Sequence, residues 1–161
     1  MKHFSLSLAF LFSALQSFSL PAEELPYVEI IAVTDFSQLA ETALNEDKII
    51  MLEVSASYCN YCELLEEEFI KPMLRSGDYN DVLIRQVKMD GSDTIKNFSG
   101  ERVSPDEFTR QLKIKLTPTL LFLDGHGNEI SPRILGINSL DLYGWYLDEA
   151  IKSGLQKIKA Q

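Results

Sequence analysis

Residues 48–55, Lys-Ile-Ile-Met-Leu-Glu-Val-Ser, form an almost continuous apolar run of strand length, and four residues after it begins Cys59-Asn60-Tyr61-Cys62. A strand without polar alternation is one covered on both faces, so the chain needs helices on either side of a central sheet. Glu53 is the single intruder in the run. The cysteine pair then sits where a buried strand hands over to a helix.

The flanking patterns supply the other layers. Residues 27–33, Tyr-Val-Glu-Ile-Ile-Ala-Val, are β-rich and predict a first strand. Thr34 or Asp35 caps a helix whose apolar face is Phe36, Leu39, Ala40, Ala43 and Leu44. From Cys59 to about Arg75 the period is helical again, with Leu65, Phe69 and Met73 on one stripe, Pro72 imposing a kink and Ser76-Gly77-Asp78 ending it. Residues 82–89 read as a third strand, and residues 90–103 show no period that assigns them. Ser104-Pro105-Asp106-Glu107 is a capping box that starts a helix turning Phe108, Leu112 and with them Ile114 inward. Residues 119–124 and 129–135 form a hairpin around Gly125-His126-Gly127-Asn128, and Ser139 caps a last helix through Leu140, Tyr143, Leu147 and Ile151. The order β-α-β-α-β-α-β-β-α predicts an α/β fold with a mixed central sheet flanked by helices.

At 161 residues the chain holds one domain with a real core. Its 15 Lys and Arg against 24 Asp and Glu give a net charge of −9, which argues against a nucleic-acid or anionic-membrane surface. The first twenty residues read differently: Met1-Lys2-His3 is a short basic start, residues 4–15 are apolar with three serines, and Leu20-Pro21-Ala22 offers a cleavage site. Residues 1–22 are therefore expected to be a signal peptide and 23–161 the domain. The alternative is an uncleaved anchor, but the apolar run falls short of the roughly 20 residues a spanning helix needs. The expected product is exported, soluble and without stable membrane insertion.

An exported domain sits where disulfides persist, yet Cys59 and Cys62 are the only cysteines. Spacing of i and i+3 at a helix start brings the sulfurs together where unpaired N–H groups favour a thiolate, which makes a thiol a nucleophile at neutral pH. Three other readings stay open. Zinc would need two further N or S ligands and the mature chain offers only His126; a structural disulfide would close too short a loop to constrain much; two inert thiols are the blandest. The site is expected to hold no metal.

Taken together, these segments resemble the thioredoxin superfamily over residues 27 to about 155. Residues 51–62 resemble its strand, loop and active-site motif, with Tyr58 where tryptophan is usual; Thr117-Pro118-Thr119-Leu120-Leu121-Phe122 is similar to its cis-proline strand, and Leu135-Gly136-Ile137 to its glycine turn. The resemblance implies a reversible Cys59–Cys62 disulfide, with Cys59 the exposed nucleophile and Cys62 the buried resolving thiol. It implies a cis Pro118 that sets the Thr117 backbone beside Cys59, against the alternative of a trans proline opening an edge strand. Tyr58, Tyr61, Thr117, Pro118 and Gly136 would form the substrate groove.

Glu53 stands where the family often carries a buried acid, and alternation puts it on the face of Ile49 and Met51. Its pKa is expected to be raised, suiting it to proton exchange with Cys62 through a water, unless it is an edge residue reaching solvent. Thioredoxin pairs its acid with a lysine; alignment on Asp90 puts Gln86 there, so the charged partner is expected to be missing. The acids Glu63, Glu66, Glu67 and Glu68 read as a solvated helix face. The resemblance is strongest to small exported bacterial thioredoxins of the SoxW type and the C-terminal domain of DsbD, implying a monomer that takes electrons from a DsbD-type membrane thiol transporter and passes them to exported protein disulfides, with no cofactor. A non-catalytic binding module, and an exported oxidant or isomerase, are the alternatives.

Overall fold

The computed structural model describes residues 24–160. The signal segment expected over residues 1–22 lies outside them. The elements are α1 (Phe36–Asn45), β1 (Ile49–Ser55), α2 (Asn60–Leu65), a π-helical turn (Glu66–Ile70), α3 (Lys71–Ser76), β2 (Val82–Lys88), β3 (Ile95–Lys96), β4 (Arg102–Val103), α4 (Pro105–Gln111), β5 (Thr119–Leu123), β6 (Glu129–Leu135) and α5 (Leu140–Lys159).

The main sheet has the order β2-β1-β5-β6. β1 pairs parallel with β2, Glu53 facing Gln86, and antiparallel with β5, Glu53 facing Leu120. Every residue of β1 is buried. Alternation divides its side chains between two cores: Ile49 and Met51 pack with Leu65, Ile70, Tyr143 and Leu147 of the α2-to-α3 segment and α5, while Ile50, Leu52 and Val54 pack with Phe36 and Phe108 of α1 and α4. The unbroken apolar run has this cause. On the second face Phe36 stacks on Phe108 with ring centroids 4.2 Å apart.

The stretch 27–33 is not a strand. Its ties to the sheet are a single parallel bridge between Ala32 and Gln86, with Gln86 N–H donating to Ile31 and Val33 N–H to Gln86. Ile30 and Val33 are buried but Ile31 and Tyr27 face solvent, so composition favoured a strand where the outer neighbour ends after two hydrogen bonds. Residues 90–103, which carry no period, hold a second small sheet of β3 and β4, too short to show one.

Helix termini follow local chemistry at most positions. Asp35, of the two candidate caps, accepts from Gln38 N–H and from Lys96 Nζ at 2.7 Å. Leu44 does not join the apolar face of α1 and is exposed, as Leu140 is at the start of α5. Ser139 stands at the N-cap of α5 but its side chain accepts no capping bond. Pro72 shows its effect as a shift of the helix ladder: Lys71 N–H donates to Glu66, five residues back, and the π-helical turn absorbs the donor that Pro72 lacks. Gly77, with φ of 70°, ends α3 in the left-handed region that glycine tolerates.

Ser104 Oγ accepts from Glu107 N–H at 3.1 Å at the start of α4. Ser104→Ala is expected to cost about 1 kcal/mol in urea unfolding, the usual worth of an N-cap. An unchanged midpoint would mean that Pro105 alone holds this helix start.

Candidate active site

β1 delivers the chain to a short loop at the sheet's end, and that loop is fastened before the first cysteine. The Asp90 carboxylate, just beyond β2, accepts from Ser57 N–H at 3.0 and 3.1 Å and from the Ser57 hydroxyl. These bonds hold the Asp90 pKa below its ordinary value. Met89 N–H donates to Ser55 and Cys59 N–H to Ala56, which completes the anchoring.

Cys59 is the N-cap of α2, and its Sγ accepts from Cys62 N–H at 3.2 Å. Cys59 and Cys62 are disulfide-bonded, with sulfurs 2.13 Å and Cα atoms 5.2 Å apart. Cys62 is buried and Cys59 is partly exposed. An N–H aimed at Sγ favours a negative sulfur there once the bond opens.

A shallow groove of about 320 Å³ beside Cys59 is lined by Tyr58, Asn60, Tyr61 and Thr117. Tyr58 is 75% and Tyr61 62% exposed, so both residues stand at the surface. The Thr117–Pro118 peptide bond is cis. Pro118 C=O accepts from Gly136 N–H at 2.8 Å, and Gly136 has a φ of 61° that favours glycine. The structure thus brings Tyr58, Cys59, Tyr61 and Thr117 together, with Pro118 joined to the groove through Thr117 and Gly136 bonded to Pro118. His126 is exposed in the β5–β6 turn and stands outside the groove. Among the described residues no three His, Cys, Asp or Glu side chains converge as metal ligands would.

Glu53 is fully buried in β1, six residues before Cys59. Burial pushes its carboxyl pKa up to about 8, a hydrogen bond from Gln86 opposes the rise and the nearby Glu66 charge adds to it. Gln86 Nε2 donates to Glu53 Oε2 at 2.9 Å and to Glu66 Oε1 at 2.7 Å, so one neutral amide bridges two carboxyl groups. The missing cation is replaced by a donor that cannot neutralise Glu53. Glu66 is therefore not part of the solvated face with Glu63, Glu67 and Glu68: it is half-buried and turned toward Gln86. Its place four residues after Cys62, one helical turn on, was the available signal for that orientation. Asp90's anchoring role is legible only with the fold, because it reaches across 33 residues to Ser57.

Residues 36–151 match the family model of a thioredoxin-like domain. Among solved structures, the chain is similar to a poplar thioredoxin h mutant at 19% identity and TM-score 0.56, covering 81% of this chain and 90% of that one. It is similar to a Malassezia sympodialis thioredoxin at 16% identity and TM-score 0.56, covering 84% and 99%, and to spinach chloroplast thioredoxin f at 16% identity and TM-score 0.53, covering 78% and 86%. No curated protein matches the sequence significantly.

Proposed function

The chain belongs to the thioredoxin-like family and is a thiol–disulfide oxidoreductase, and from that premise we propose that it works as an exported reductant of protein disulfides. Cys59 thiolate attacks one sulfur of a substrate disulfide; a Cys59–substrate bond forms, the substrate's bond breaks, and the departing sulfur takes a proton from solvent. Cys62 then gives its proton to the Glu53 carboxylate and attacks Cys59 Sγ. The Cys59–Cys62 disulfide forms, the second substrate thiolate leaves, and the substrate has gained two electrons. An external dithiol restores the pair, and neutral Glu53 returns the proton to Cys62.

A pKa near 8 suits both directions, since about a tenth of Glu53 is ionised at pH 7 and the rest can donate. Thr117, whose backbone makes no hydrogen bond among the described residues, offers an extended substrate segment a pairing edge beside Cys59. Tyr58 and Tyr61 add apolar contact in the same groove.

The observation that carries the direction is the wall around Cys59. Tyr58, Asn60, Tyr61 and Thr117 contribute no positive charge, and the next turn carries acids, so Cys62 N–H is the thiolate's main support. A weakly stabilised reduced form lowers the potential. Equilibration in glutathione or dithiothreitol buffers is expected to give about −270 to −180 mV, against roughly −120 mV for the oxidant DsbA. A value near the latter, with efficient oxidation of a reduced unfolded protein, would reverse the direction.

Export rests on the reading of residues 1–22 as a signal peptide, with residues 23–161 as the mature, monomeric domain in the periplasm or another oxidising compartment. Among the described residues no helix is long and apolar enough to cross a membrane. Electrons outside the cytoplasm then have to come from a membrane thiol transporter of the DsbD type, acting on Cys59 through the same groove.

A further inference from the structure

Three buried side-chain atoms have no hydrogen-bond partner among the described residues: Glu53 Oε1, Ser55 Oγ and the Tyr143 hydroxyl. Buried polar groups without a partner are exceptional and call for a specific cause. Glu53 and Ser55 are two residues apart on β1 and so share the face of Ile49 and Met51. Tyr143 enters that same core from α5, which packs on β1 and β5, and its ring centroid lies 4.8 Å from that of Phe69. Burial, and after it the Glu53 charge, raises the Tyr143 pKa, so the two groups sense each other electrostatically.

We propose that Tyr143 is a positioning residue of the redox reaction: its hydroxyl donates through one internal water to the Glu53 oxygen that Gln86 leaves free. Glu53 Oε1, the Tyr143 hydroxyl and Ser55 Oγ supply the two to four polar partners that an internal water needs. With Gln86 fixing Oε2 and Tyr143 fixing Oε1 through that water, the carboxyl is held in one orientation. This rests on the reading of Glu53 as the proton-exchanging group. The other groups acting on Glu53 are Glu66 from the π-helical turn and Lys88 and Gln86 from β2, while β5 sets the uncharged Leu120 opposite it.

A phenol that donates to a carboxylate favours its charged form, so removing the phenol oxygen should raise the Glu53 pKa further. Tyr143→Phe deletes that oxygen and keeps the ring against Phe69. The titration of Glu53 in the oxidised protein can be followed by carboxyl-carbon NMR, its signal identified by disappearance in Glu53→Gln. In Tyr143→Phe the midpoint is expected to rise by about half to one unit, and the pH profile of the resolving step to move with it. In a Glu53→Gln background, adding Tyr143→Phe should leave the profile where it was. An unmoved or lowered midpoint in a variant whose circular dichroism and melting match the wild type would overturn the contact. A Glu53→Gln profile identical to that of the wild type would instead remove the role of Glu53, and that of Tyr143 with it, whatever the midpoint does.

Discussion

Cys59→Ser is expected to abolish insulin reduction, leaving only the rate that dithiothreitol gives alone, whereas Cys62→Ser should retain the first attack and accumulate a mixed disulfide. The asymmetry follows from where the two sulfurs sit. Cys59 borders the groove, is partly exposed and receives the Cys62 N–H, while Cys62 is a buried residue of α2. Exposure and thiolate character together set the rate of attack on an external disulfide, and Cys62 lacks the first. A hydroxyl at position 59 cannot form the intermediate. A hydroxyl at position 62 cannot break it, so substrate should stay attached through Cys59 and appear as a reducible adduct in non-reducing mass spectrometry. Adducts on Cys62 in Cys59→Ser, with turnover preserved, would exchange the two roles.

What was legible in the sequence was what depends on neighbours along the chain. The apolar run of β1, the Cys-x-x-Cys after it and the Thr-Pro-Thr at the mouth of β5 each declare themselves within a few residues, and the mixed sheet with helices on both faces follows from their order. The stretch 27–33 misled because β-branched composition reports what a strand would tolerate, not whether a partner runs alongside; here the partner is met only around Gln86. The capping of α5 by Ser139 failed for a similar reason, since residue type makes a cap available without aiming its oxygen.

At the site, Glu53 stood out as a charge in an apolar run, but its companions could not. Gln86 reaches it only because β1 and β2 are in register as parallel neighbours, and Glu66 reaches Gln86 from the π-helical turn after α2. Both contacts join residues 20 or more positions apart, where local period carries no information. The result is a carboxyl held by an amide in place of a cation; burial raises its pKa and the amide's hydrogen bond opposes only part of the rise.

The energetic consequence is that Glu53→Gln should stabilise the oxidised protein, and increasingly so as pH rises. In the folded chain Glu53 keeps its proton up to about pH 8, while its ordinary value is 4.5, so between those limits the native state binds a proton that the unfolded state has released. Stability therefore falls as pH rises through this window; the penalty is absent below its lower limit and complete above its upper one. At about 1.36 kcal/mol per unit, the full penalty is on the order of 5 kcal/mol. Glutamine cannot ionise, yet its carbonyl can still accept from Gln86 Nε2, so the variant removes the buried charge without orphaning the amide. Urea unfolding of both proteins at pH 5 and pH 8 isolates the effect, because the other ionisable groups are common to the pair and cancel in the difference. The gap between them should be small at the lower pH and several kcal/mol wider at the higher. A gap that does not change with pH would mean that Glu53 titrates alike in the folded and unfolded chain, and that its carboxyl is not held neutral by burial.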